Sequence, residues 1–131
     1  MTINEYINKQ EPEKKALLSS IHELILKTNK NVKAEVSPMM GTEMIQYKFN
    51  NFFLYGLANQ KNYMSLHVLP MYGCKPIHEK YSKLLKKAKF QKGCINFKNA
   101  DEMLLDITED MLSDCAEMGE AIIEKYKKKK K

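Results

Sequence analysis

Between residues 44 and 69 apolar and polar positions alternate with a period of two, and this run frames the rest of the chain. Met44, Gln46 and Lys48 alternate with Ile45, Tyr47 and Phe49, the spacing that sends successive side chains to opposite faces of a strand. Asn50-Asn51 follows. Asparagine tolerates positive φ better than other non-glycine residues, so a two-residue hairpin turn is expected there. Residues 52–58 are apolar on both faces, as in a strand covered on both sides. Residues 59–62 are polar and turn the chain into a third strand over 63–69, which Pro70 ends. Turns this short demand antiparallel pairing, so the pattern predicts a three-stranded meander.

Around the meander the period changes to that of helices. Thr2-Ile3-Asn4-Glu5 has the spacing of a capping box, in which hydroxyl and carboxylate satisfy each other's free N–H groups, and predicts a short helix to about Lys9. Pro12 suits the first turn of a second helix, where Leu17, Ile21, Leu24 and Thr28 share a face with Leu18 and Ile25 beside them. Residues 32–36 have extended character, but Ser37-Pro38 interrupts them and Gly41 marks a bend. After the meander, residues 71–75 read as a loop and Pro76 opens a helix striped by Ile77, Tyr81, Leu84, Leu85 and Ala88. Cys94, Asn96 and Lys98 alternate against Ile95 and Phe97, which predicts a fourth strand over 91–98 in the same antiparallel sheet. Asn99-Ala100-Asp101 begins a short helical turn through Leu105. Thr108 then caps the last helix, whose core side carries Met111, Cys115, Met118, Ile122 and Tyr126. The expected fold is α+β, with an antiparallel sheet of four or more strands packed against helices.

Composition bounds what such a fold can be. A chain of 131 residues suits one domain, assigned here to residues 1–124, with residues 125–131 as a lysine-rich tail that repels itself and frays. Cys74, Cys94 and Cys115 form no C-x-x-C pair and leave one thiol over, which argues against a disulfide framework and for a reducing compartment. Neither a targeting segment nor an apolar run of about 20 residues is present, so a soluble cytoplasmic protein without a membrane partner is expected. All 22 basic residues are lysine, and the net charge of +6 is unevenly spread. Residues 1–98 hold 16 lysines against 7 acids, giving +9. Residues 99–124 hold 9 acids and no lysine, giving −9, and the six lysines of the tail supply the net excess. The overall charge is therefore a poor guide to partners.

Motifs for catalysis are missing. No G-x-S-x-G, P-loop or G-x-G-x-x-G occurs, and no nucleophile and base can be paired, so a non-enzymatic binding protein is expected. Gly56 within Tyr55-Gly56-Leu57 suggests a close approach in a strand. His67, Cys74 and His78 flank one loop and could converge on a soft divalent ion, although three unrelated positions are the preferred interpretation of so irregular a spacing. The lysines of the third helix come without any arginine, the residue of the bidentate guanine contact, so sequence-specific nucleic-acid binding is not expected. On the last helix Asp110, Asp114, Glu117 and Glu124 recur at helical spacing opposite the apolar stripe. A solvated face explains them first. An all-acid face nonetheless suffers like-charge repulsion, and clustered carboxylates bind hard cations.

Several stretches together resemble one family. They are Ile3-Asn4-Glu5-Tyr6-Ile7 before a proline-initiated helix, Ser65-Leu66-His67-Val68-Leu69-Pro70, Tyr81-Ser82-Lys83-Leu84-Leu85, and Lys92-Gly93-Cys94-Ile95-Asn96-Phe97-Lys98 followed by an acidic helix. Over residues 3–123 the chain resembles the YdhG-like family of small bacterial α+β domains, long catalogued as of unknown function and including a frataxin-like iron chaperone. It departs at Ser37-Pro38-Met39-Met40-Gly41, where many members have a Gly-Met-Pro turn. The resemblance implies a YdhG- or frataxin-like sandwich and, for some members, delivery of Fe2+ to iron–sulfur cluster assembly proteins. If iron is handled here, its ligands should be Asp110, Asp114 and Glu117, a weak and exchangeable oxygen site. The alternative is a protein-interaction or small-ligand-binding module that binds no metal and uses the sheet with Tyr47, Tyr55 and His67.

Overall fold

Asn50 and Asn51 both take positive φ, 49° and 67°, the pair of left-handed conformations that a two-residue hairpin turn requires. The meander built on that turn is the centre of the sheet. The structure, a computed structural model, describes residues 1–39, 41–60, 62–72, 74–91 and 93–129, without the side chains of residue 39 and of residues 119–129. Its strands are β1 (Lys33–Met39), β2 (Thr42–Phe49), β3 (Phe52–Asn59), β4 (Met64–Val68), β5 (Lys89–Phe90) and β6 (Cys94–Phe97). They form one sheet in the order β1-β2-β3-β4-β6-β5, every neighbour antiparallel. The expected meander and the strand around Ile95 are thus found in a single sheet.

Among the described residues five helices accompany it: α1 (Ile3–Asn8), α2 (Pro12–Thr28), α3 (Leu69–Tyr72), α4 (Lys75–Leu84) and α5 (Leu105–Lys129). The capping box opens α1 as expected, with Thr2 Oγ1 accepting from Glu5 N at 3.1 Å and Glu5 Oε1 accepting from Thr2 N at 2.9 Å. α2 lies over one face of the sheet, where its His22 shares a 2.6 Å hydrogen bond with the Tyr47 hydroxyl, and Asn29, its C-cap, accepts from the Tyr55 hydroxyl at 2.9 Å. Beneath the helices Ile45 faces Leu57, Leu57 faces Leu66 and Leu66 faces Ile95, all four fully buried. Leu18, Ile21 and Ile25 of α2 and Met111, Leu112 and Cys115 of α5 belong to the same core. No helix among the described residues is long and apolar enough to cross a membrane.

Four local expectations are corrected. β1 does not stop at Ser37-Pro38 but runs to Met39; it is an edge strand, and an edge position tolerates a proline without an N–H. Gly41, with φ +83°, makes the turn after it, while Met40 lies outside the described residues. The segment after β4 is the single helical turn α3, with Pro70 in it, rather than a loop. Asn99 organises one turn by accepting from Glu102 N through Oδ1 at 3.0 Å, and α5 then starts at Leu105, so Thr108 is interior to α5 and not its cap. Its fully buried hydroxyl donates to the Leu104 carbonyl at 2.7 Å, which is how a threonine satisfies itself inside a helix. Last, Leu84 points outward while Ile77, Tyr81, Leu85 and Ala88 are buried. The α5 backbone is helical to Lys129. Lys130 and Lys131, the end of the expected tail, lie outside the described residues, as do the side chains of Ile122 and Tyr126.

Candidate functional site

Strand alternation sorts the chemistry-bearing residues onto two faces. Tyr47 and Tyr55 are paired on the helix side and fully buried. His67 is paired with Gly56 on one side and Cys94 on the other, one residue out of phase with Tyr55 and Val68, so it lies on the opposite face. A shared site of Tyr47, Tyr55 and His67 is therefore excluded by the period of two. The opposite face is mixed: Met44, Gln46, Ala58 and Ser65 are buried, while Lys48, Phe53, His67, Cys94 and Asn96 are partly exposed.

On that face lies a cleft of about 470 Å³, lined by Phe53, His67, Leu69, Tyr72, Gln91, Gly93 and Cys94. Each wall has a local cause. A register shift between Tyr47 and Lys48 offsets the hairpin and pairs Phe53 with Lys48. Phe53 leans across Gly56, where an added Cβ would stand 2.9 Å from Phe53 Cζ and 2.8 Å from Met44 Sδ. α3 carries Tyr72 to the other rim, 58% exposed. Gly93 lets that ring approach: a Cβ there would meet Tyr72 Cδ2 at 3.2 Å, and the Gly93 carbonyl accepts from Val68 N at 2.8 Å. Gln91 N donates to the Cys94 carbonyl at 2.8 Å, closing the reversal between β5 and β6.

The polar groups in the cleft are few. The Cys94 thiol donates to Gln91 Oε1 at 2.9 Å, and burial raises its pKa above the ordinary thiol value. His67 is half-buried; burial lowers its pKa and thus favours the neutral ring. The His67 ring makes no hydrogen bond to the described residues. Among the described residues no Asp, Glu or Lys lines the cleft. The remaining members of the suggested soft-metal set are elsewhere: His78 Nε2 donates to the Gln91 carbonyl at 2.8 Å and its ring meets Phe90 edge-on. Cys74 precedes α4, and all three cysteines are free.

On α5, Asp114 accepts from the hydroxyl of buried Tyr81 in a very short hydrogen bond and from Lys80 Nζ at 3.4 Å. Burial raises the pKa of Tyr81, and the negative charges of Asp114 and Asp110 raise it further. Asp110 and Glu117 are exposed. Among the described residues no three of His, Cys, Asp and Glu come together in a group able to hold a metal ion. Cys115 is buried, and burial raises its thiol to about 12. The sequence missed Phe53, Tyr72, Gln91 and Gly93 as site residues; the one legible signal was Gly56, flagged as a close approach.

Neither a family model nor a curated protein matches the chain. Among solved structures, the crystal structure of YdhG from Bacillus subtilis, a protein of the DUF1801 family, is similar with a TM-score of 0.57, covering 83% of this chain and 86% of that one at 13% identity. Identity that low carries architecture and not chemistry. The fold implied by the sequence motifs is the one observed, a helix-packed antiparallel sheet, and in architecture the chain is a YdhG-like α+β domain.

Proposed function

We propose that this protein is a small-molecule-binding module whose site is the cleft on the sheet face away from α2, and that it binds its ligand without transforming it. The observation that supports this most is a hollow of about 470 Å³ in which a half-buried imidazole, His67, has no partner among the described residues. That volume is in the range of ordinary ligand sites, which combine apolar walls with a few convergent polar groups. A raised pKa keeps Cys94 protonated near neutrality, so it is a poor nucleophile. The test is a fragment screen on the 15N-labelled chain. Amide shifts should cluster at Phe53, His67, Tyr72, Gln91 and Cys94, and Cys94→Phe, which fills the cleft, should remove them. Shifts scattered over the surface, or unchanged by the filling substitution, would overturn the proposal.

Ferrous iron carried at Asp110, Asp114 and Glu117 for iron–sulfur cluster assembly is the rival. In its favour, Asp110, Asp114 and Glu117 recur at helical spacing on α5, which puts hard oxygen donors along one side of the helix. Against it, Asp114 is already engaged by Tyr81 and Lys80. An anaerobic Fe2+ titration discriminates: micromolar binding that Asp110→Asn with Glu117→Gln abolishes would transfer the function to α5, and absence of binding removes the rival.

A further inference from the structure

The cleft's lining specifies more than the presence of a ligand. Phe53 and Tyr72 stand at two sides of the hollow, and Gly93 adds no side chain between them. Tyr72 exposes more than half its surface, and a solvent-exposed aromatic ring at a cleft rim is a stacking surface. Among the described residues no carboxylate or ammonium lines the hollow, so these residues give a charged ligand no counter-charge in return for its lost hydration. The hydrogen-bonding capacity lies with Gln91 and His67. Gln91 Oε1 already accepts from the Cys94 thiol and keeps one lone pair beside its amide N–H donors, while the neutral His67 ring offers one donor and one acceptor.

Resting on the proposed ligand-binding role of this cleft, we infer that its ligand is an uncharged, planar aromatic ring system with a hydrogen-bonding edge, held between Phe53 and Tyr72 with that edge on His67. A neutral imidazole can accept from a ring hydroxyl or N–H, and the lowered pKa of His67 preserves that acceptor at neutral pH. Fused two-ring systems are small enough for the volume, and stacking needs a flat face.

Three probes of similar size separate these requirements on the full chain at pH 7.5: 2-naphthol, which is neutral and planar; 2-naphthoate, planar and charged; and decahydro-2-naphthol, neutral and not planar. With amide shifts as the readout, 2-naphthol should bind at least about tenfold more tightly than either of the others. Tyr72→Ala, a change at an exposed ring that leaves the core intact, should weaken it by about tenfold, in the range of one aromatic contact. His67→Phe should keep a ring in place yet remove the preference for 2-naphthol over naphthalene. If naphthoate or decahydronaphthol binds the cleft as well as 2-naphthol does, the ligand class is wrong while the cleft remains a site. If none of the three shifts the cleft amides, the ligand class and the site fall together.

Discussion

At the scale of single residues, Gly56 links the hairpin to the cleft. A methyl group there would lie within 3 Å of both the Met44 sulfur and the Phe53 ring, and although the thioether can swing away, the ring is a cleft wall. Gly56→Ala should cost about 1–3 kcal/mol, as overpacking does, and should displace Phe53; a urea midpoint equal to that of the parent would contradict this. A second residue-scale expectation concerns pH. Burial lowers the pKa of both His22 and His67, so below the ordinary histidine value the unfolded chain binds more protons than the folded one. The stability from these neutral rings is complete above about pH 6.5 and is lost as pH falls through that value and below the lowered folded values. Urea midpoints should drop between pH 7.5 and 5.5, and His22→Gln with His67→Asn should flatten that drop. His67 also shows what a sequence conceals. Alternation is legible along each strand, but relating His67 to Tyr47 and Tyr55 requires the registers of β3 on β2 and of β4 on β3, which follow from turn geometry rather than from composition.

At the scale of elements, legibility tracked length and periodicity. The meander, α2 and the capped start of α1 each present repeated signals, and each is found where the pattern puts it. β5, two residues long, is too short to show a period; the helical pattern runs on through Ala88 with Lys89 on its polar side, whereas α4 ends at Leu84. α5 starts about one turn before the cap that Thr108 suggests, because threonine, though favoured at a cap, is accommodated inside a helix when the carbonyl four residues back accepts its hydroxyl, as that of Leu104 does. The Asn50-Asn51 turn provides the element-scale test. Both residues hold left-handed φ, which costs a side-chain-bearing residue more than glycine. Asn51→Gly should stabilise the domain by about 0.5 kcal/mol and Asn50→Ala should destabilise it by about 1 kcal/mol. Equal and unchanged melting temperatures for the two variants would mean that the turn does not set the hairpin's stability.

For the molecule as a whole, the notable property is the separation of charge, +9 over residues 1–98 against −9 over residues 99–124. The fold brings the two regions together. Lys27 of α2 pairs with Glu109 of α5 at 2.8 Å, and Lys80 of α4 with Asp114 of α5 at 3.4 Å. Taken singly, such exposed pairs are worth about 0–1 kcal/mol, too little to explain why the acids are concentrated in one helix. The collective attraction is the larger quantity, and it acts over the Debye length, about 30 Å at 0.01 M salt but only about 8 Å at physiological ionic strength. The melting temperature should therefore fall as NaCl is raised from 10 to 500 mM, by roughly 4 °C for each ~1 kcal/mol of attraction screened in a chain of this size. Asp110 and Glu117 distinguish the collective effect from the local pairs, because neither makes an ion pair among the described residues. Replacing them with Asn and Gln breaks no bridge and leaves the Tyr81–Asp114 hydrogen bond in place, yet it removes two of the nine negative charges. The variant should show a shallower salt dependence and converge with the parent at 500 mM. A slope identical to the parent's would assign the salt sensitivity to the two bridges alone, and a melting temperature that rises with salt would show that repulsion, not attraction, dominates this charge pattern.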